Sequence, residues 1–118
     1  MIKYVGGRAT GKTYRLLQDA AENKLEVLVS TIDRKYHLEN YAKELGFDVQ
    51  IICWADYNIC RLHPDIIRDF DLAKHRIVIE DADLLLKTIL YDAEIYSLSL
   101  SATDLKRCYE PGRIGDLR

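Results

Sequence analysis

The chain has 118 residues, of which 48% are hydrophobic and 31% are charged. This is the composition of a globular protein, so it excludes a disordered chain, and the length suits a single domain over 1–118. Seventeen Lys and Arg residues stand against nineteen Asp and Glu, which gives a net charge of −2. That balance excludes a general attraction to nucleic acid, so any contact with DNA or RNA must use a local patch.

The location of the protein follows from what the sequence lacks. No apolar run approaches the ~18 residues of a membrane span, and the N-terminus has no apolar leader core. The three cysteines, Cys53, Cys60 and Cys108, are an odd number without CxxC spacing, which is typical of reduced thiols. We therefore expect a cytoplasmic protein with no membrane partner.

Apolar runs alternate with helical stretches along the whole chain. The predicted elements, in chain order, are a strand at 2–5, a helix at 12–23, a strand at 25–30, a helix at 33–45, a strand at 49–54, a helix in two pieces at 56–70, a strand at 76–80, a helix at 82–91 and a strand, or alternatively a helix, at 95–101. Gly46 is a predicted helix C-cap, and the tail from Lys106 onward is predicted to be irregular. The alternation predicts a three-layer α/β/α sandwich around a mainly parallel five-stranded sheet.

The region between the first strand and the first helix fits the pattern G-x-x-x-x-G-K-[ST] in full. Its residues are Gly6, Gly7, Arg8, Ala9, Thr10, Gly11, Lys12 and Thr13. Glycines let successive backbone N–H groups turn onto phosphate oxygens, and the helix dipole favours the same anion. The lysine reaches the β- and γ-phosphates, and the threonine hydroxyl is a ligand for Mg²⁺. The pattern therefore predicts a loop that binds nucleotide phosphates.

Two residues near this loop have less specific assignments. Tyr14 is a candidate for stacking on the nucleotide base, with ordinary packing as the alternative. Arg8 either contacts phosphate or points into solvent.

A second candidate centre is acidic. The sequence Ile77-Val78-Ile79 leads directly into Glu80 and Asp81. A phosphate loop needs a carboxylate at the end of another strand to complete the Mg²⁺ shell and orient the attacking water. Glu80 and Asp81 are the predicted pair, or Asp81 and Asp83 if the register shifts by one residue. The alternative is that these acids only cap the following helix.

With both motifs present, the chain resembles a P-loop NTPase of the division with an extra strand between the phosphate-loop strand and the acidic strand. The resemblance implies that the strand at 95–101 lies between those two. Residues 80–83 are similar to the acidic motif of RecA-like helicase cores, and residues 101–103 resemble their S-A-T motif, with a turn or cap as the alternative. The phosphate loop also resembles that of large terminase subunits, which package phage DNA.

The chain departs from these families in two respects. It has no room for a second motor domain or a nuclease, so it corresponds to a minimal core, a truncated relative or a subunit that needs partners. The acidic pair is ordered Glu80-Asp81, whereas hydrolytic members usually have Asp-Glu. This inversion alters the reach of each carboxylate and implies slow or abolished hydrolysis.

We therefore expect Mg²⁺-dependent ATP binding and slow ATP hydrolysis, linked by resemblance to nucleic-acid transactions, in a phage or mobile element. Lys12, Glu80 and Asp81 are the expected catalytic residues, and Thr13, Glu80 and Asp81 the expected metal ligands. ATP is favoured over GTP because the N-K-x-D signature is absent.

Two points about partners and rival functions stay open. No arginine finger is evident inside the domain, so a homo-oligomer or a larger motor complex is expected to supply one. Arg107, Arg113 and Arg118 in the tail are candidates. The rival functions are a non-hydrolytic nucleotide-binding module and a small-molecule (nucleoside or nucleotide) kinase, although no lid insertion is evident.

Overall fold

The computed structural model describes residues 1–7, 11–56, 75–101 and 103–108. This part of the chain is mixed α/β, and the strand pairs in it are parallel. Its elements, in chain order, are β1 (Lys3–Val5), α1 (Lys12–Asn23), β2 (Glu26–Val29), α2 (Ile32–Leu45), β3 (Gln50–Cys53), β4 (Ile77–Ile79), α3 (Ala82–Ile89) and β5 (Leu105–Arg107).

Contacts divide the chain into two compact units. The first comprises Met1–Arg15 and Ile95–Arg118, and the second is Leu16–Glu94, so the boundary falls inside α1. The first unit contains a two-stranded sheet, β1-β5, and the second contains a three-stranded sheet in the order β3-β2-β4. The expectation of one domain and one five-stranded sheet stays a prediction.

In the second unit, helices pack on both faces of the three-stranded sheet. Strand β2 lies in the centre, and successive side chains of a strand point to opposite faces. Val27 and Val29 pack in one buried cluster with side chains of α1 and α2, whereas Leu28 packs in a second cluster with Leu85 of α3. The helical residues of the first cluster are Leu17, Ala20, Leu38 and Ala42. Residues 27–29 of β2 are apolar without alternation because both faces of the sheet are covered here.

Helix α2 has a capping residue at each end. Thr31 is its N-cap, and the threonine side chain accepts a hydrogen bond from the Arg34 backbone N–H. Gly46 has a φ of 74°, in the left-handed region, and its N–H donates to carbonyls of the last turn. The prediction of a glycine C-cap at this position is therefore confirmed.

Most of the predicted elements are present, with small shifts at their ends. The bounds of α1 agree with the predicted helix, and strands occur inside the segments predicted at 2–5, 25–30, 49–54 and 76–80. Helix α3 ends two residues earlier than predicted, at Ile89, and Tyr91 and Asp92 that follow have positive φ angles, which do not continue a right-handed helix. Apart from its first residue, the helix predicted at 56–70 lies outside the described residues.

The prediction of a strand or helix at 95–101 is wrong. The segment has no regular secondary structure, and its residues are exposed, including Tyr96, Leu98 and Leu100. The alternating pattern fits a strand, but none of these apolar side chains is buried, so no core contact favours strand pairing.

The strand that pairs with β1 lies further along the chain, at Leu105–Arg107. Backbone hydrogen bonds flank this pairing: the Lys3 N–H donates to Asp104 O at 2.9 Å, and the Cys108 N–H donates to Val5 O. Cys108, the residue that follows β5, is buried. The prediction of an irregular tail from Lys106 is therefore wrong for residues 106 and 107, because β1 offers these backbone groups partners. Residues 109–118 lie outside the described part.

No helix within the described residues is both long and apolar enough to cross a bilayer.

Candidate functional site

The phosphate-loop motif lies between a strand and a helix. Strand β1 ends at Val5, Gly6 and Gly7 follow, and α1 begins at Lys12. Gly11 has a φ of 81°, in the left-handed region that favours glycine, and its carbonyl accepts the first helical hydrogen bond, from the Arg15 N–H at 3.1 Å. The strand–loop–helix context that the motif requires is present.

The remaining three loop residues fall outside the described part of the chain. They are Arg8, Ala9 and Thr10. Their expected contacts with phosphate stay predictions.

Lys12 directs its ammonium back toward the start of the loop. Its Nζ donates to the carbonyl oxygens of Gly6, at 2.5 Å, and Gly7, at 2.7 Å. In the part of the chain that the structure describes, no carboxylate forms an ion pair with Lys12. Neutral carbonyls are weaker partners for an ammonium than anionic oxygens are, so a phosphate group would compete for this charge.

The first turn of α1 also favours an anion. It contains no acidic residue, so nothing there opposes the positive end of the helix dipole. Thr13 is half-buried and Tyr14 is 41% exposed within this turn. The assignments of Thr13 to Mg²⁺ and of Tyr14 to the base stay predictions.

Glu80, the first residue after β4, is one of the two buried polar residues in the described part of the chain. It is 4% exposed, and its N–H donates to Leu28 O at 3.1 Å, which extends the pairing between β4 and β2. Both of its carboxylate oxygens contact the guanidinium of Arg34: Nη2 donates to Oε1, and Nε donates to Oε2 at 3.4 Å. The acid predicted at this strand end is therefore paired with a cation.

Arg34 is the residue that sequence reasoning missed. The carboxyl ends of parallel β2 and β4 lie at the same edge of the sheet, and two residues separate the end of β2 from the start of α2. The cap at Thr31 fixes the first turn of α2, which contains Arg34. The sequence places Arg34 in the first turn of the helix after one strand and Glu80 directly after another strand. Such residues can meet at the edge where parallel strands end, but the strand order that brings these two together was not predicted.

Asp81 caps the N-terminus of α3. It is the N-cap residue, with a φ of 54°, and its Oδ1 accepts a hydrogen bond from the Leu84 N–H at 3.2 Å. Asp83 lies in the first turn of the same helix and is exposed. These are the capping and first-turn roles that sequence analysis left open as the alternative, and aspartate tolerates this backbone conformation better than most residues.

Ser30 lies at the same edge of the sheet, directly after β2. It is 2% exposed, and its hydroxyl has no hydrogen-bond partner among the described residues. The carbonyl of Ser30 contacts the buried thiol of Cys53 at 3.8 Å. An unpaired buried hydroxyl costs stability, so this position is a local weakness of the core.

The side chains that could act as ligands can be compared with the coordination that Mg²⁺ requires. Within the described residues, no group of three or more His, Cys, Asp or Glu side chains could hold a metal ion. Mg²⁺ usually keeps several waters and binds one or two carboxylates together with substrate phosphates, so it does not need such a protein cage. The absence of such a group among the described residues therefore leaves the expected Mg²⁺ ligands as predictions.

The predicted site residues fall into two groups, one in each unit. The first unit brings Lys12 together with Gly6 and Gly7, and the second brings Glu80 together with Arg34. The expectation that Thr13 and an acid share one metal ion stays a prediction.

Residues near the end of the chain have local roles. Ser101 and Thr103 hydrogen-bond to each other through their hydroxyls at 3.0 Å, and the Thr103 N–H donates to Ser101 Oγ at 3.4 Å. This is a turn arrangement, the alternative to the S-A-T assignment. Arg107 lies in β5, not in an irregular tail, whereas Arg113 and Arg118 lie outside the described residues.

No protein-family model matches this chain, and neither a curated protein nor a solved structure is detectably similar to it.

Proposed function

We propose that the chain is a minimal P-loop ATPase, which binds Mg²⁺ and ATP at residues 6–13 and hydrolyses ATP slowly. The observation that carries the proposal is the position of Lys12, whose ammonium lies on the Gly6 and Gly7 carbonyls at a strand–loop–helix junction. The fold proposed with it is a three-layer sandwich around one five-stranded sheet.

In this proposal the loop contributes to catalysis by binding and orienting the phosphates of ATP. Backbone N–H groups and the start of α1 hold the phosphate oxygens, and Lys12 exchanges its carbonyl contacts for the β- and γ-phosphates. Thr13 contributes its hydroxyl to the metal. Bound Mg²⁺ would neutralise the charge that develops on the phosphates.

The acids supply the second half of the proposed mechanism. Glu80 or Asp81 orients a water that adds to the terminal phosphorus while the bond to the bridging oxygen breaks. The proton that this water loses passes to the carboxylate or to solvent. An arginine from another copy, or from a larger complex, stabilises the charge of the transition state.

The remaining proposals concern the binding partner and the cellular location of the protein. We retain nucleic acid as a candidate partner, reached through a local patch, and a cytoplasmic location. Buried Cys53 and Cys108 are free thiols, as a reducing compartment allows.

One rival function has a specific observation in its favour. A non-hydrolytic nucleotide-binding module would retain the loop but lack a usable acid. Glu80 is bound to Arg34, and Asp81 caps α3, so both predicted acids already have partners. This candidate predicts ATP binding without release of phosphate.

The test is phosphate release from ATP by purified protein, with and without Mg²⁺. Lys12→Ala removes the loop charge, and Lys43→Ala is the matched control, because Lys43 is exposed in the last turn of α2. We expect Mg²⁺-dependent release by the wild type and the control, and release at least about tenfold slower with Lys12→Ala. Equal release by Lys12→Ala would assign the activity to a contaminant and overturn the proposal.

Added substrates separate the rivals. Stimulation by DNA or RNA would support the link to nucleic acid, and ADP formation only when a nucleoside is added would identify a kinase instead. Binding of ATP with no release under either condition would identify the non-hydrolytic module.

A further inference from the structure

Helix α3 has an exposed apolar stripe beside the side chain that anchors it to the sheet. The helix lies wholly within the second unit, where Leu85 packs in a buried cluster with Leu28 and Ile52. Side chains three or four positions apart share one face of a helix, and a second apolar set with this spacing lies next to Leu85. These residues, here called the α3 stripe, are Ala82, Leu86, Ile89 and the C-cap residue Leu90.

The members of the α3 stripe are all exposed. Leu86 is 38%, Ile89 37% and Leu90 48% exposed. Tyr91, the next residue along the chain, is 93% exposed. A surface helix usually turns its large apolar side chains toward the core, as α3 does with Leu85. Single apolar residues on a surface are ordinary, whereas a contiguous exposed patch indicates a contact surface for another molecule.

Two opposite charges border the α3 stripe on the side away from Leu85. Asp83 and Lys87 lie about one helical turn apart, each two residues from Leu85 along the helix. Both side chains are exposed, and neither forms an ion pair within the described part of the chain. The border of the stripe therefore has one acid and one base, placed symmetrically about its middle.

We propose that the α3 stripe binds a second copy of this chain, with the two α3 helices packed antiparallel around a two-fold axis. In such a dimer the same surface of both copies meets itself, so it must be complementary to itself. With the axis level with Leu85, Asp83 of each copy stands opposite Lys87 of the other, because each lies about 3 Å from that level along its helix. The arrangement forms two reciprocal ion pairs.

The apolar residues fit the same arrangement. Leu86 lies closest to the axis, so the two copies of this side chain meet at the centre of the contact. Ala82 of each helix lies level with the space between Leu86 and Ile89 of the other, where its small side chain leaves room for the larger ones. A membrane surface is disfavoured as the occupant, because it attracts basic helices and the first turn of α3 contains Asp83.

This inference goes beyond the proposed function and does not rest on it, since no residue of the phosphate loop takes part. The stripe occupies one face of an eight-residue helix, which is smaller than the standard interface of about 1,600 Å². We therefore expect a weak dimer, with a Kd on the order of 10–100 μM.

The first experiment uses the wild-type protein. Sedimentation equilibrium at concentrations up to about 1 mM should show a monomer in equilibrium with a dimer. In a ¹⁵N NMR dilution series, the amide resonances of α3 should shift with concentration, and that of Tyr36 on α2 should not. A protein that stays monomeric at this concentration, or a dimer whose α3 resonances do not shift, would overturn the inference.

The second experiment introduces a charge at the centre of the stripe. Leu86→Lys should raise the Kd of the dimer at least about 100-fold, because two like charges would meet at the axis. Tyr36→Lys is the matched control, since Tyr36 is 59% exposed on α2, and its Kd should stay within about twofold of the wild-type value. A dimer of Leu86→Lys as tight as the wild type would place the contact elsewhere and overturn the inference.

The third experiment exchanges the two border charges. Asp83→Lys or Lys87→Asp alone should raise the Kd about 5- to 30-fold, because each turns both ion pairs into like-charge pairs. The double variant with both substitutions restores opposite charges, and its Kd should return to within about threefold of the wild-type value. Single variants that dimerise as tightly as the wild type, or a double variant that does not recover, would overturn the antiparallel arrangement. Circular dichroism verifies the folding of each variant, and the wild-type dilution series decides if one misfolds.

Discussion

At the scale of single residues, two neighbouring acids have different environments. Glu80 is buried and paired with Arg34, whereas Asp81 is exposed and caps α3. The sequence predicted acids at this strand end, because three apolar residues lead into them. It could not predict that Arg34 is the partner of Glu80, because 46 positions separate the two and their contact depends on strand order.

The unpaired hydroxyl at Ser30 gives a prediction at this scale. Ser30→Ala removes a buried polar group that has no partner among the described residues, so the free energy of unfolding should rise by about 0.5–1 kcal/mol. Urea unfolding measures the change, and exposed Ser97→Ala should stay within about 0.5 kcal/mol of the wild type. A loss of stability in Ser30→Ala would mean that the hydroxyl has a partner.

At the scale of elements, prediction succeeded where local chemistry fixes a segment. Helix α1 has its predicted bounds because a glycine at 11 precedes it and its apolar residues recur at helical spacing. The 95–101 segment has equally clear alternation, yet it is not a strand, because pairing depends on partners elsewhere in the chain. Strand β5 was missed for the same reason, since its three residues have no strong pattern of their own.

The C-cap of α2 gives a prediction for one element. Gly46→Ala should lower the free energy of unfolding by about 1 kcal/mol, because alanine resists a φ of 74°. A methyl group there would have no heavy atom within 4 Å, so crowding adds nothing. Gly46→Asn should lower the free energy of unfolding less than Gly46→Ala does, because asparagine tolerates the left-handed region better than alanine. Equal stability of Gly46→Ala and the wild type in urea would contradict the observed cap.

At the scale of the whole molecule, the central issue is whether the chain unfolds as one domain. The length predicted one domain, and the contacts form two compact units. Among the described residues, each unit contains one buried thiol, Cys108 in the first and Cys53 in the second. These thiols can report on the two units separately.

We predict that both thiols become reactive in a single urea transition. The measurement uses Cys60→Ser, which leaves only the two buried cysteines, and a thiol reagent with peptide mapping to identify the modified residue. Both thiols should react slowly in the native protein, because Cys53 is 0% and Cys108 is 5% exposed. Coincident transitions are the mark of one cooperative domain, and two separated transitions would contradict the one-domain prediction.

The most direct measurement of the central claim is calorimetric titration with ATP and Mg²⁺. The claim is that the loop binds phosphate and that Lys12 supplies its charge, so wild type and Lys43→Ala should bind with equal affinity. Lys12→Ala should bind about 10- to 100-fold more weakly, because a charge-assisted contact to phosphate is lost. Absence of binding by the wild type, or equal affinity of Lys12→Ala, would contradict the account.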